Sequence, residues 1–135
     1  MAAFAYTDAT LTVGGTDLSD HVVSLGLNVD GDELDITAMG DTWKDRIIGL
    51  KSWSINVEFH QDFAASKTFW TIWDANGTKP SSVVKPTSSA VSATNPSFTG
   101  TPLINAFPIL TGSVGSLSTI SVSWNGGGAL TVATS

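Results

Sequence analysis

The fold is decided by the stretch Ser52-Trp53-Ser54-Ile55-Asn56-Val57-Glu58-Phe59-His60. Its odd positions are apolar and its even positions are polar, which is the period of two expected of a strand with one buried face. The same alternation surrounds Leu25 and Leu27, and it returns at Ile120, Val122 and Trp124. Three separate segments therefore predict half-buried strands, and the chain is expected to be mainly β.

One segment has a helical period instead. Its apolar stripe consists of Ala65, Phe69, Ile72 and Trp73. This spacing places the four side chains on one face of a helix, which we predict over residues 63–76. Asp62 can cap the start by accepting from free backbone amides, and Asn76-Gly77 is suited to a left-handed end.

These patterns predict a β-sandwich or barrel of about seven or eight strands with one flanking α-helix, in a single domain over residues 1–135. Gly14-Gly15 predicts a hairpin turn. Asn125-Gly126 predicts another, with a strand returning over residues 129–133. The candidate core is Leu25, Leu27, Trp53, Ile55, Val57, Phe59, Phe69, Ile72, Trp73, Ile120, Val122 and Trp124.

A long acidic inter-strand loop is predicted over residues 30–48, between two of the alternating segments. Its acidic residues are Asp30, Asp32, Glu33, Asp35, Asp41 and Asp45. The segment is long for a hairpin connection, and such loops are usually functional or disordered. Its apolar residues, among them Met39 and Trp43, have no clear period and need a partner. That partner is either the rest of this domain or another subunit.

Charge is scarce and unevenly placed. The 135 residues include 12 acidic and 6 basic side chains, and residues 86–135 contain none. A net charge of −6 argues against a tight grip on nucleic acid and against binding to an anionic membrane. Strand edges are normally protected by charge, and interface cores are depleted in it. We therefore predict a chain that associates with other copies of itself.

No residue set predicts an active site, so we expect no enzyme, no metal and no cofactor. The chain has no cysteine. The segment that begins at Asp30 fails the spacing of a calcium loop, because Leu34 occupies its fifth position. His21 and His60 are the only histidines, too few for a usual zinc site. Two alternatives stay open: a capsid decoration or adhesin-like structural protein, and a carbohydrate-binding module that uses Trp43 and Trp70.

Five stretches resemble a known family. They are Val13-Gly14-Gly15-Thr16-Asp17-Leu18-Ser19-Asp20-His21-Val22, Asp32-Glu33-Leu34-Asp35-Ile36-Thr37-Ala38-Met39-Gly40-Asp41, Gly49-Leu50-Lys51-Ser52-Trp53-Ser54-Ile55-Asn56-Val57-Glu58-Phe59, Ser92-Ala93-Thr94-Asn95-Pro96-Ser97-Phe98-Thr99-Gly100, and Gly112-Ser113-Val114-Gly115-Ser116-Leu117. In this order, they resemble the major tail tube protein of long-tailed, non-contractile bacteriophages.

The resemblance implies a tail tube fold and hexameric rings that stack into a hollow conduit for DNA. It implies that the long loop reaches the next ring. The candidate stacking residues are Asp32, Glu33, Asp35, Met39, Asp41, Trp43, Lys44, Asp45 and Arg46. The implied partners are further copies of the chain and other tail proteins such as a tape measure and a terminator. DNA is expected to pass without specific binding. The implied location is the virion tail, after synthesis in the host cytoplasm.

Overall fold

The computed structural model describes residues 7–134, in which eight strands, one short 3-10 turn and one helix are found. The strands are β1 (Thr10–Val13), β2 (Thr16–Asp17), β3 (Val22–Asp35), β4 (Arg46–His60), β5 (Ser82–Lys85), β6 (Ser97–Gly100), β7 (Thr119–Asn125) and β8 (Thr131–Ala133). Helix α1 (Thr68–Ala75) lies between β4 and β5 in the sequence. The predicted fold class, mainly β with one helix, is confirmed.

The strands form two antiparallel sheets. One sheet has the order β2-β1-β5-β6-β8, and the other has the order β3-β4-β7. Strand β4 is central in the smaller sheet, where Ile55 pairs with Leu27 of β3 and with Trp124 of β7. Apolar side chains from both sheets and from α1 pack into one core. The alternating stretch that predicted the fold is therefore its middle strand.

Most of the candidate core residues are buried in that cluster. They are Trp53, Ile55, Val57, Phe59, Ile72, Ile120, Val122 and Trp124. Leu25 and Leu27 are half-buried against the cluster, and Phe69 is also half-buried. Trp73 was predicted to lie in the core but is 47% exposed. Its ring stacks on Phe69 with centroids 5.6 Å apart, at the border of the cluster and not inside it.

The helix begins later than predicted. Ser66 has a positive φ of 61°, which interrupts helical geometry just before Thr68. The Asp62 carboxylate accepts from the Ala64 amide at 2.9 Å and so closes a turn ahead of the helix, without capping the helix itself. Gly77, with φ of 81°, follows the last turn as the sequence predicted.

One predicted hairpin is correct and the other is wrong. Strands β1 and β2 pair across Gly14 and Gly15, whose φ angles are both positive. Strand β8, however, pairs with β6 in the larger sheet and not with β7. The Gly126 amide donates to the Trp53 carbonyl at 2.7 Å, and the Gly127 amide donates to the Thr101 carbonyl at 2.9 Å. These two bonds fix the segment that crosses from β7 in the smaller sheet to β8 in the larger one.

Candidate functional site: a projecting β-ribbon and the groove at its base

The predicted loop over residues 30–48 is about half strand, since β3 continues to Asp35 and β4 begins at Arg46, which corrects its bounds. Strands β3 and β4 continue past the end of the smaller sheet, because β7 covers only residues 54–60 of β4. They project as a two-stranded ribbon, residues 30–52, which we call the arm. Only residues 36–45 lie outside both strands, and we call them the tip. Residues 30–35 of β3 lie in the arm, and at about 3.3 Å per residue they give it a length of roughly 20 Å.

A bulge in the arm explains why its sequence shows no period. Gly31 pairs with Lys51, but the next pair is Glu33 with Ile48, so β4 contains one extra residue around Gly49. An extra residue on one strand reverses the alternation beyond it. The Ile48 side chain lies over Gly31, where a Cβ atom would overlap it. The apolar residues beyond the bulge therefore follow a strand pattern that is shifted by one position.

The tip is closed by its own hydrogen bonds. The Thr37 amide donates to Asp35 Oδ1 at 2.8 Å, and Thr37 Oγ1 accepts from the Asp45 amide at 2.8 Å. The hydroxyl and the amide of Thr37 hold the pKa of the Asp35 carboxyl below its ordinary value. The Ala38 amide donates to Asp41 Oδ2 at 2.7 Å. These bonds give the tip a defined shape without contacts to the sandwich.

The arm exposes many large apolar side chains. They are Val29 at its base, then Leu34, Ile36, Met39, Trp43, Ile47, Ile48 and Leu50. Met39 and Trp43, both in the tip, are 104% and 86% exposed. Contiguous exposed apolar surface on a soluble domain marks a site of interaction. Of the two partners that the sequence left open, the rest of the domain does not cover these residues.

The structure brings the candidate stacking residues together on the arm. Asp32, Glu33 and Asp35 lie on β3, and Arg46 begins β4. The other five occupy the tip, namely Met39, Asp41, Trp43, Lys44 and Asp45. Arg46 Nε pairs with Glu33 Oε1 across the ribbon. Both side chains are exposed, so this ion pair orients the ribbon more than it stabilises it.

A groove of about 450 Å³ opens at the base of the arm, where the arm leaves the sandwich. Its walls are Val29 of β3, just before the arm, Lys51 from the arm, and Phe98 and Val132 from the larger sheet, and Trp53 is also part of its lining. Sequence reasoning missed this groove because its walls come from four separate parts of the chain. Only the position of Trp53, directly beside the arm in the alternating strand, pointed to it.

A second polar cluster lies at the start of β3. His21 Nδ1 lies 2.7 Å from Asp20 Oδ1, and His21 Nε2 lies 2.8 Å from Asp62 Oδ2. Burial lowers the pKa of His21, but hydrogen bonds and charge from Asp62 and Asp20 outweigh burial and raise it above the usual 6.5. The contact with Asp62 links the 3-10 turn that precedes β3 to the segment before α1. Its role is therefore structural.

Three further findings concern other classes of site. Residues 7–134 contain no group of three His, Cys, Asp or Glu side chains arranged to hold a metal ion. They also contain no helix long and apolar enough to cross a membrane. The two tryptophans of the carbohydrate-binding alternative lie on separate elements, Trp43 in the tip and Trp70 on α1. The Trp70 indole donates to the Phe63 carbonyl at 2.9 Å.

No protein-family model matches the chain, and no curated protein matches its sequence. Solved structures match its fold. A chain from the virion of a native gene transfer agent particle superposes with a TM-score of 0.77 at 14% identity, over 96% of this chain and 98% of that one. A chain from the tail of an empty gene transfer agent particle with C6 symmetry gives 0.70 at 16% identity, over 91% and 92%.

A third match is a chain from the tube-terminating cap of the anti-feeding prophage, with a TM-score of 0.63 at 12% identity. It covers 100% of this chain and 96% of that one. At such low identity the likeness concerns the fold alone. The chain therefore has, over nearly its whole length, the fold of chains found in phage-like tail and tube assemblies.

Proposed function

We propose that this chain is a structural, non-enzymatic subunit of a phage-type tail, which assembles into stacked hexameric rings around a channel for DNA. The observation that carries the proposal is the arm: a projecting ribbon whose large apolar side chains are exposed to solvent. The match to a tail of C6 symmetry supports six copies per ring. The resemblance of the sequence to tail tube proteins of long-tailed, non-contractile phages supports the same reading.

The arm is proposed as the contact between successive rings. It projects by roughly 20 Å from the sandwich, which is enough to reach past the edge of its own subunit. Met39 and Trp43 at the tip supply apolar area, and the carboxylates of the arm supply direction and register. Each contact is modest, but six identical contacts between two rings act together, so the stack is far more stable than a single pair.

One face of the smaller sheet is proposed as the channel wall. The face turned away from the core carries small neutral side chains such as Ser54, Asn56, Ser121 and Ser123. Ser123 Oγ donates to Asn56 Oδ1 at 2.6 Å, so these groups partly satisfy one another. Tight binding to DNA requires Lys or Arg contacts with phosphates. The same face carries Glu58, opposite Ser121, whose carboxylate repels phosphates. A wall of hydroxyl, amide and carboxylate groups lets the duplex pass without holding it.

The proposed partners are other copies of this chain, together with other tail proteins such as a tape measure and a terminator. The proposed location is the virion tail, after synthesis in the host cytoplasm. Residues 86–135 contain no charged side chain, and strands β6, β7 and β8 belong to this region. Uncharged edge strands suit lateral contact with neighbouring subunits, whereas a monomer would need charge there to prevent association.

The test is electron microscopy of purified, concentrated protein, with mass per unit length measured on the same sample. Rings and hollow tubes support the proposal, and persistent monomers under every nucleating condition contradict it. Discrete small oligomers without a channel favour a capsid decoration protein instead. The arm is tested by replacing residues 36–45 with Asn-Gly, a two-residue turn that keeps β3 and β4 paired. Rings without tubes are expected, and unchanged tubes would refute the stacking role.

A matched control for the tip replacement is Val114→Ser. Val114 is fully exposed, like Met39, but it lies in the loop before β7 and not on the arm. The control removes an exposed apolar side chain without touching the arm. Tubes should therefore form as in the wild type. A loss of tubes in both variants would show that general surface apolarity, and not the arm, drives stacking.

A further inference from the structure

We propose that the groove at the base of the arm is the docking site for the arm tip of a second copy of this chain. Trp43 enters the groove as the apolar anchor, and Lys51 at its rim pairs with the carboxylates of the tip. This inference rests on the proposed function and deepens it, because it names the receptor for the stacking contact. It concerns residues of this chain that the resemblance does not assign.

The groove is preformed and open. Val29 and Val132, on opposite walls, are 62% and 59% exposed, so its apolar lining faces solvent. The Trp53 indole is fixed by its Nε1, which donates to the Gly128 carbonyl at 2.9 Å, and the backbone of the same residue is fixed by its carbonyl, which accepts from the Gly126 amide at 2.7 Å. A rigid wall lowers the cost of ordering on binding. The volume of about 450 Å³ is in the range of sites that enclose a bulky apolar group.

The tip is the surface of the chain that best fits this groove. Trp43 is 86% exposed and stands on a turn closed by its own hydrogen bonds, so it is presented without further ordering. Tryptophan is among the residues that most often anchor an interface by filling a pocket on the partner. An indole buries about 150–250 Å² when it docks.

Charge favours the tip over other exposed apolar segments. Lys51 is exposed, and no carboxylate of residues 7–134 pairs with it. Asp41 and Asp45 flank Trp43. Asp41 accepts from the Ala38 amide through Oδ2 and Asp45 accepts from the Arg46 amide through Oδ1, so each can offer its other carboxylate oxygen to a cation. The exposed apolar residues around Val114 lie in a region without any carboxylate. The tip therefore offers Lys51 a partner that the rival segment lacks.

The length of the arm makes the contact intermolecular. Tip and groove lie at opposite ends of a ribbon of roughly 20 Å, so the tip cannot enter the groove of its own chain. Two different surfaces that meet head to tail leave one of each free at the ends of the assembly. Such a contact repeats without closing when each copy is displaced along one axis relative to the last, which is the arrangement required for stacking.

The first experiment is cross-linking between full-length chains, which is clean because the natural sequence has no cysteine. Thr42→Cys places a thiol beside Trp43, and Ser52→Cys places one at the groove rim; both residues are exposed. The two proteins are mixed with a short bismaleimide, and a dimer of one chain of each kind is expected. Ser113→Cys, equally exposed, replaces Thr42→Cys in the control mixture and should give only background dimer.

The second experiment measures self-association by sedimentation. Trp43→Ser is expected to weaken it by at least about tenfold, as for an anchor residue. Lys51→Glu is expected to weaken it by about fivefold, as for a partly exposed ion pair turned into repulsion. Lys79→Glu makes the same charge change at an exposed site outside the groove and should leave the association constant unchanged.

The outcomes separate this inference from the proposed function. Cross-linking at the control level, in a sample that forms tubes, would overturn the docking site and leave the tail function standing. Specific cross-linking in a sample that never forms rings would support the docking site and count against the tail function. Lys79→Glu acting as strongly as Lys51→Glu would show that net charge, and not this pair, controls association.

Discussion

Substituting Gly126 tests the contact that joins the two sheets. A Cβ atom on Gly126 would overlap the indole of Trp53, and one on Gly100 would overlap the far edge of the same ring. The ring is therefore enclosed between two backbone segments and is only 5% exposed. Gly126→Ala forces the indole toward Gly100, where there is no space. Either the ring leaves its rotamer or the chain that crosses between the sheets must move.

The expected destabilisation is about 2 kcal/mol, from the usual cost of 1–3 kcal/mol for overpacking a well-filled site. For a domain of this size, that corresponds to a fall of about 8 °C in Tm. Gly26→Ala is the matched control, because the nearest atom to its added Cβ would be the Asn56 carbonyl oxygen at 3.9 Å. Alanine loses less conformational freedom than glycine on folding, so Gly26→Ala is expected to be neutral or to stabilise the fold by about 0.5 kcal/mol.

The assay is urea unfolding followed by far-UV circular dichroism, in protein dilute enough to remain monomeric. A double-mutant cycle adds Trp53→Leu, which removes the ring that the new methyl group would strike. The double variant should then be more stable than the sum of the single effects predicts, by about 1 kcal/mol. A free energy of unfolding for Gly126→Ala within about 0.5 kcal/mol of the wild type would refute the reasoning, and so would strict additivity in the cycle.

Three further substitutions probe other parts of the molecule. The folded pKa of His21 is raised, so its bridge stabilises the fold below about pH 6.5 and loses that effect as the pH rises through the folded pKa. The free energy of unfolding, measured with urea between about pH 6 and 8, should therefore fall as the pH rises. His21→Gln should remove this part of the pH dependence, and an unchanged pH dependence would contradict the assignment. Ile72→Ala, at a fully buried site under α1, should cost about 2–5 kcal/mol in the same assay. Gly31→Ala forces Ile48 aside and should weaken assembly in sedimentation, with less than about 1 kcal/mol change in unfolding, because the arm lies outside the core.

Alternation was a reliable guide wherever one face of a strand meets the core. It placed Trp53, Ile55, Val57 and Phe59 correctly because successive residues in this part of β4 alternate between the core and the outer face of the sheet. It failed on the arm because both faces of a free ribbon are exposed there, and because the bulge near Gly49 reverses the phase. The residue types of the candidate stacking site were visible, but their strand geometry was not.

Long-range partners were beyond the reach of local patterns. Asn125-Gly126 is a strong hairpin signal, yet the amide of Gly126 bonds to Trp53, and β8 pairs with β6. Trp73 lies on the helical stripe, but the position of Phe107 and Phe69 decides how much of it is covered. The groove beside Trp53 was missed for the same reason, since it exists only where four distant segments meet.

The placement of the last two described strands has a consequence for biosynthesis. Strand β7 completes the smaller sheet and β8 extends the larger one, so both sheets lack an edge strand while residues 119–133 are still being synthesised. The hairpin of β3 and β4 can form early, because its pairing is local, whereas β7 joins β4 only after a long delay. Val132 is the final wall of the groove. Under the docking that we propose, a nascent chain can present an arm but cannot receive one, and only finished subunits can add to both ends of a stack.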